Sequence, residues 1–301
     1  MKRLLIAAVC VLCAVAVRAE STRLWYNAPA KIWLEALPIG NSHLGAMVHG
    51  GTETEEIQLN EETFWSGGPH NNNSPRSLKR LDAVRQLIFV GHEEEAAAII
   101  DKDFVVGPHG MRYLTCGSYK FDFGHKDATD YRRQLDLTDA LSTVNYTCGG
   151  VRYTRETFAS LADGVIVMRV KASKKGALSF ALRHESQFPS ETQVDGDNVL
   201  WAQIKPVEQE GIQGSVYAEC QAKVVECDGK VAGKDGKLCV ENATQALIII
   251  TAATNFENYH DVSGNPGHKN AKYLLGVMGM NYDKLFKRHL DKYQPQFNRV
   301  K

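Results

Sequence analysis

Short segments with a period of two dominate the pattern of apolar and polar residues. They run from Leu24 to Glu61 and resume at Tyr119, with Leu178, Phe180 and Leu182 as one clear example. A period of two is typical of strands with one buried face. Turn sequences separate the later strands: Cys148-Gly149-Gly150, Asp195-Gly196-Asp197 and Asp228-Gly229. The pattern predicts a mainly β protein, built as one large antiparallel β-sandwich or super-sandwich.

Two longer apolar runs, Val165 to Val170 and Ala246 to Ala253, lack this alternation. A continuous apolar run of strand length is typical of a strand that is covered on both faces. We predict that both runs are central strands of a sheet.

Helical spacing of apolar residues occurs in two other regions. The first, at about 76–104, predicts a helical insertion packed on the sheet, with apolar positions Leu78, Leu81, Val84, Leu87 and Ile88. The second, at 263–301, predicts the start of a helical linker, in which Pro295 interrupts the second helix. Residues 20–262 are then one N-terminal β-sandwich domain.

The first 19 residues have the composition of a secretory signal peptide. Lys2 and Arg3 precede an apolar run, and Val17-Arg18-Ala19 fits a cleavage site before Glu20. The run is shorter than the roughly 18 residues that a membrane-spanning helix needs. We therefore expect a bacterial protein that is exported to the periplasm or the medium, without a membrane anchor.

The charge of the mature chain excludes some classes of partner. Removing the signal peptide leaves 32 basic and 35 acidic residues. A slightly acidic chain without a basic cluster is a poor candidate for binding nucleic acid or an anionic membrane.

Five cysteines remain after the signal peptide, namely Cys116, Cys148, Cys220, Cys227 and Cys239. An odd number leaves at least one without a partner in the chain. The last three are close in sequence, so two of them could form a disulfide, and the alternative is that all are buried free thiols. Their spacing lacks the close pairs of a zinc site, so we expect no metal and no other cofactor.

The segment from Pro38 to Pro69 is the most unusual part of the chain. Its glycines punctuate short apolar runs, and no helix signal follows them, which favours tightly turned strands over a phosphate-binding loop. It ends in a polar and aromatic loop. There Asn60 and His70 could hydrogen-bond sugar hydroxyls. Trp65 could stack on a sugar ring or serve as a packing anchor.

Glu61, in the same loop, either faces a site or accepts backbone hydrogen bonds. Hydrolysis by a water molecule held between two carboxyl groups needs a separation of about 6.5–9.5 Å between them. Glu61 and Glu62 are neighbours, so on a strand they would point to opposite faces and cannot form such a pair. His43, His49, His109 and His125 show no paired spacing, and we expect surface or turn roles for them.

The sequences PIGNSHLGAMVHGG and IQLNEETFWSGGP resemble the start of the N-terminal domain of family 95 of the glycoside hydrolases, the inverting α-L-fucosidases and their relatives. Segments at 131–160, 163–180 and 252–261 continue the resemblance in the same order. It implies a β-sandwich, a helical linker, an (α/α)6 barrel and a small C-terminal β-domain. It also implies that the acid, the base and the assisting asparagines belong to the barrel.

The resemblance implies a non-catalytic role for this chain, which ends at Lys301 where the barrel would begin. The expected partners are the catalytic barrel and fucosylated or related glycans. Asn60, Glu61, Trp65 and His70 are then candidates for substrate binding or for the domain interface. The alternative is a stand-alone carbohydrate-binding or interaction module.

Overall fold

The computed structural model describes residues 22–105, 107–108 and 110–300, and within them the strands form two antiparallel sheets. Sheet A contains, in spatial order, β1 (Arg23–Tyr26), β6 (Thr129–Asp136), β7 (Leu141–Cys148), β8 (Val151–Ser160), β9 (Val165–Ala172), β16 (Gln245–Thr254), β13 (Ala218–Cys227), β12 (Val199–Ile204) and β11 (Ser190–Asp195). Sheet B contains β14 (Lys230–Lys234), β15 (Lys237–Ala243), β10 (Leu178–Glu185), β5 (Ser118–Asp122), β4 (Thr54–Glu61), β3 (Leu44–Val48) and β2 (Leu37–Gly40). The prediction of a large antiparallel β-sandwich is confirmed. The predicted signal peptide at 1–19 lies outside the described residues.

The main hydrophobic core lies between the two sheets. Strands β9 and β16 occupy the middle of sheet A and are buried on both faces. In β9, Ile166 and Met168 belong to the core between the sheets, whereas Val165 and Val167 belong to a second cluster on the other face of sheet A. The prediction that these two apolar runs are central, doubly covered strands is therefore confirmed.

Two C-terminal helices, α3 (Pro266–Val277) and α4 (Tyr282–Phe297), cover the outer face of sheet A. Each begins at an asparagine whose side-chain oxygen caps the first turn. Leu285 is fully buried against this face, whereas Leu275 is 64% exposed. The expectation that Pro295 interrupts the second helix was wrong, because α4 continues through it to Phe297.

The insertion between β4 and β5 contains α1 (Ser77–Phe89) and α2 (Glu93–Asp103). These helices pack mainly on each other, and among the described elements neither makes an extensive interface with a strand. Of the predicted stripe only Val84 is buried, and Leu78 is 81% exposed. The prediction that the insertion packs on the sheet was wrong. Instead, the two ends of the insertion are joined by ion pairs of the Asp103 carboxylate with Arg76 and Arg80, at 3.1 and 3.2 Å.

All five cysteines of the described residues are free thiols, so the suggested disulfide among Cys220, Cys227 and Cys239 does not form. Within the described range, no group of histidine, cysteine and carboxylate side chains is placed to hold a metal ion. No helix in that range is both long enough and hydrophobic enough to span a membrane. The domain boundaries at 20–262 and 263–301 stay a prediction.

Candidate functional site

An open pocket of about 480 Å³ lies beside the loop that follows β4. We call it the Trp65 pocket. Two segments form most of its walls, the β4 loop and the loop that follows β16, and Met111 and Val216 come from two further segments. Its lining residues are Glu62, Thr63, Trp65, Ser66, Gly68, Pro69, His70, Asn72, Met111, Val216, Phe256, Tyr259 and Val262.

Two of the four predicted site residues, Trp65 and His70, line this pocket. Trp65 is 43% exposed, its ring centroid lies 4.9 Å from that of Tyr113, and its indole N–H donates to the Glu62 carbonyl at 3.0 Å. His70 Nδ1 lies 2.7 Å from the Gly68 carbonyl oxygen. These contacts fix both rings while leaving part of each open to the pocket.

The other two, Asn60 and Glu61, do not line the pocket. The Asn60 amide donates to the Leu114 carbonyl at 3.1 Å. Glu61 is buried, and its Oε2 accepts the backbone N–H and the hydroxyl of Thr63, both at 2.8 Å. Glu61 therefore accepts hydrogen bonds within the loop, as one of the two sequence interpretations proposed.

The carboxylates of Glu61 and Glu62 converge on a single imidazole. His43 Nδ1 lies 3.4 Å from Glu61 Oε1 and 3.5 Å from Glu62 Oε1. The expectation that the two carboxylates point to opposite faces was wrong, because β4 ends at Glu61 and the alternation ends with it. Their exposure still differs, since the Glu61 side chain is 3% and the Glu62 side chain 56% exposed.

His43 is held by the turn between β2 and β3 and by its own ring contacts. Asn41 Oδ1 accepts the backbone N–H groups of His43 and Leu44, at 3.2 and 2.7 Å. The other ring nitrogen, Nε2, lies 3.0 Å from the Ala252 carbonyl oxygen. Because a carbonyl oxygen only accepts, Nε2 carries a hydrogen and Nδ1 faces the carboxylates. The imidazole also stacks on Tyr273 of α3, with centroids 5.0 Å apart.

Burial controls the protonation of the groups around Glu61. Desolvation raises the pKa of the Glu61 carboxyl, and the Thr63 hydrogen bonds and His43 oppose that rise. Burial also raises the pKa of Tyr113 to about 12. The Tyr113 hydroxyl is therefore protonated at neutral pH, and it donates to the Glu61 carbonyl at 3.0 Å.

The second wall of the pocket is fixed by Asn255 and by helix α3. The buried Asn255 amide donates to the carbonyls of Ser215 and Val262, at 2.9 and 2.6 Å. Lys269 Nζ of α3 donates to the Thr254 and Phe256 carbonyls, at 3.1 and 2.6 Å. Both ends of this loop are therefore tied to neighbouring elements.

Sequence reasoning missed Glu62 as a pocket residue and His43 as its neighbour. His43 lies within the glycine-rich segment from Pro38 to Pro69, but the spacing of the histidines does not indicate a site. The only clue was its place after Asn41 in a turn. The carboxylates of Glu61 and Glu62 share one imidazole, so they cannot act as two groups on opposite sides of a glycosidic bond.

Most of the chain matches a family of glycosyl hydrolase domains. Residues 24–259 match the family model described as glycosyl hydrolase family 65, N-terminal domain. Alpha-L-fucosidase 2 of Arabidopsis thaliana is 31% identical over 92% of this chain and 36% of its own length. "Probable alpha-fucosidase A" of Aspergillus niger is 26% identical over 96% of this chain and 38% of its own length. The chain thus spans less than half the length of these relatives.

Among solved structures, a bacterial glucoamylase complexed with acarbose aligns with a TM-score of 0.41 and 10% identity, covering 92% of this chain and 41% of that chain. The matched domain and the fucosidase relatives confirm the predicted resemblance to the N-terminal domain of an α-L-fucosidase-like glycoside hydrolase. The chain belongs to the glycosyl hydrolase family 65 N-terminal domain family.

Proposed function

We propose that this chain supports and walls the active site of a secreted glycoside hydrolase of the α-L-fucosidase type. A catalytic (α/α)6 barrel would supply the acid and the base, and the Trp65 pocket would face the substrate. The observation that carries this proposal is the pocket itself, where a fixed tryptophan, a carboxylate and a histidine lie side by side in an open cleft. Such a mixture of one aromatic face and a few polar groups suits a sugar ring.

The length of the relatives supports the presence of a partner domain. Alpha-L-fucosidase 2 extends well beyond the part that matches this chain. A pocket wall alone buries only a fraction of a sugar, so we expect weak binding by the chain and strong binding once a second wall closes the site.

The test uses the protein that carries this chain together with a barrel. Trp65→Ala is expected to raise the Michaelis constant for an α-L-fucoside, because it removes the aromatic face of the pocket. Trp33→Ala is the matched control, since Trp33 is similarly exposed at 53% but does not line the pocket. If Trp65→Ala leaves both the kinetics and the melting temperature unchanged, the proposed role of the loop is refuted.

Export is the second part of this proposal. The mature protein should begin at Glu20, which N-terminal sequencing of secreted material would show. Material that keeps Met1 and stays in the cytosol would contradict it.

A stand-alone carbohydrate-binding module is the second candidate function. It is favoured by the Trp65 ring, which is held by the Glu62 carbonyl and by Tyr113 and is still 43% exposed. The reading frame after codon 301 separates the two candidates, because only the first requires a helical barrel to be encoded there.

A further inference from the structure

Cys116 and Cys220 belong to opposite sheets and meet in the core between them. The backbone N–H of Cys116 donates to the Leu59 carbonyl at 2.8 Å, which places Cys116 beside β4 of sheet B. Cys220 lies on β13 of sheet A, where it pairs with Ala202 and Ala252 of the neighbouring strands. Both cysteines are fully buried and belong to the main hydrophobic core. Both are free thiols in this structure.

The two cysteines are in direct contact. Cys220 Sγ lies 3.9 Å from the Cys116 carbonyl oxygen. A hydrogen bond to the Cys220 thiol, together with burial, holds the pKa of the Cys116 thiol well above its usual range. Two sulfur atoms that share a hydrogen bond need only a small further approach to reach the bonding distance of a disulfide.

The other described cysteines have different surroundings, and each is partly exposed. The Cys148 thiol donates to the Lys126 carbonyl at 3.1 Å, and Cys227 Sγ accepts the backbone N–H of Gly229 at 3.4 Å. Cys239 alternates with buried residues of β15, so its side chain points to the outer face of sheet B. The geometry therefore favours one pair among the described cysteines, the two in the core.

We propose that Cys116 and Cys220 form a disulfide that joins the two sheets when the chain folds under oxidising conditions. The oxidant is an external disulfide, such as that of a thiol–disulfide oxidoreductase or of glutathione. One cysteine thiolate attacks it, and a mixed disulfide forms while one external thiol leaves. The second cysteine thiolate attacks the mixed disulfide, which forms the Sγ–Sγ bond and releases the second external thiol. The two cysteines lose two electrons and two protons, and the oxidant gains both.

The bond has to form before the core closes. Both sulfurs are inaccessible in the folded chain, and only a thiolate attacks a disulfide. A reduced chain that has already folded should therefore resist oxidised glutathione, whereas a chain that refolds in its presence should acquire the bond. Export, as proposed above, would supply oxidising conditions in the cell. The inference goes beyond the proposed function and does not depend on it, because the test is made in vitro.

Refolding of the purified chain without its predicted signal peptide tests the pairing. The chain is unfolded in urea with a reductant and refolded either in a glutathione redox buffer or in excess reductant. Free thiols are then alkylated before digestion. Trypsin cleaves between all the cysteines after the signal peptide, and it places Cys116 in residues 113–120 and Cys220 in residues 184–223. Mass spectrometry should find these two peptides joined only after oxidative refolding, with no link among the other three cysteines.

The bond should also stabilise the fold, because it joins residues 104 positions apart in the chain. A disulfide that closes such a loop should raise the folding equilibrium constant about 30- to 1,000-fold. The oxidised chain should therefore unfold at a higher urea concentration than the reduced chain. Cys116→Ala should abolish this difference. Cys148→Ala is the matched control and should keep it, since Cys148 takes no part in the bond.

The peptide map decides the pairing on the wild-type chain, so it does not depend on the folding of any variant. The inference is overturned if Cys116 and Cys220 stay unlinked in a chain that circular dichroism shows to have refolded under oxidising conditions, or if either is linked to another cysteine. Equal urea midpoints for the oxidised and reduced wild-type chain would exclude the stabilising role. Cys220→Ala repeats the stability comparison from the other side of the bond.

Discussion

A buried ion pair that joins the two sheets gives the sharpest test of the fold. Arg155 on β8 and Glu55 on β4 are each 1% exposed, and Arg155 Nη2 lies 2.8 Å from Glu55 Oε2. Arg155 Nη2 also donates to the Gly51 carbonyl at 2.7 Å. Arg155 Nε and Nη1 have no hydrogen-bond partner among the described residues. The pair is therefore incompletely compensated, and burial raises the pKa of Glu55 despite the nearby guanidinium.

Glu55→Gln leaves the arginine charge buried and unpaired. Removing one partner of such a pair costs about 3–5 kcal/mol of unfolding free energy. Arg155→Met should cost less, because the remaining carboxyl can bind a proton whereas arginine stays charged. The double variant leaves neither charge, so its loss should be smaller than the sum of the two single losses.

Urea unfolding followed by circular dichroism measures these differences, with the slope against urea expected to stay unchanged. Asp291→Asn is the control, because it breaks the exposed Lys287–Asp291 pair on α4, where the effect should lie within the fitting error. A loss below about 1 kcal/mol in Glu55→Gln, or a double variant whose loss equals the sum, would refute the reasoning.

Three further outcomes are expected. Gly51→Ala should lower the unfolding free energy by about 1–3 kcal/mol, because its new Cβ would clash with the Thr54 carbonyl oxygen at the start of β4; Gly45→Ala meets nothing within 4 Å and should be tolerated better in the same urea assay. Burial lowers the pKa of His289, so the unfolded chain binds more protons below the ordinary histidine pKa of 6.5. The melting temperature should then fall as pH drops below about 6.5. This fall should be less steep in His289→Gln, whereas the control variant His268→Gln, at an exposed position, should show the same slope as the wild type. Finally, the purified chain should release no fucose from an aryl α-L-fucoside above a buffer blank, and activity that disappeared in Glu61→Gln would contradict this.

Local pattern was sufficient for the central strands. Burial on both faces makes five of the six positions from Val165 to Val170 apolar, with Arg169 as the exception, so this strand could be predicted without knowing what covers each face. The prediction for the insertion was wrong because its pattern does not specify what the helices pack against. Helical spacing at Leu78 to Ile88 predicts a helix but not its partner, and α1 and α2 pack mainly on each other.

The candidate site was predicted in outline only. Composition located the loop that contains Trp65 and His70, since aromatic and polar residues together mark such loops. It could not place Glu61 and Glu62, because one residue is the last of β4 and the next begins a turn. The role of His43 could not be predicted, since Ala252 and Tyr273 contact it only in the folded chain.

Helix α3 is more than a connection, because it contacts the second wall of the Trp65 pocket directly and the first wall through His43. Tyr273 stacks on His43, which lies against the carboxylate of Glu62 on the first wall. One turn earlier, Lys269 donates to two carbonyls of the second wall and lies 3.0 Å from the Glu257 carboxylate. A shift of α3 would therefore move groups on both walls at once. The helix that sequence analysis treats as a linker therefore supports the site, although none of its residues lines the pocket.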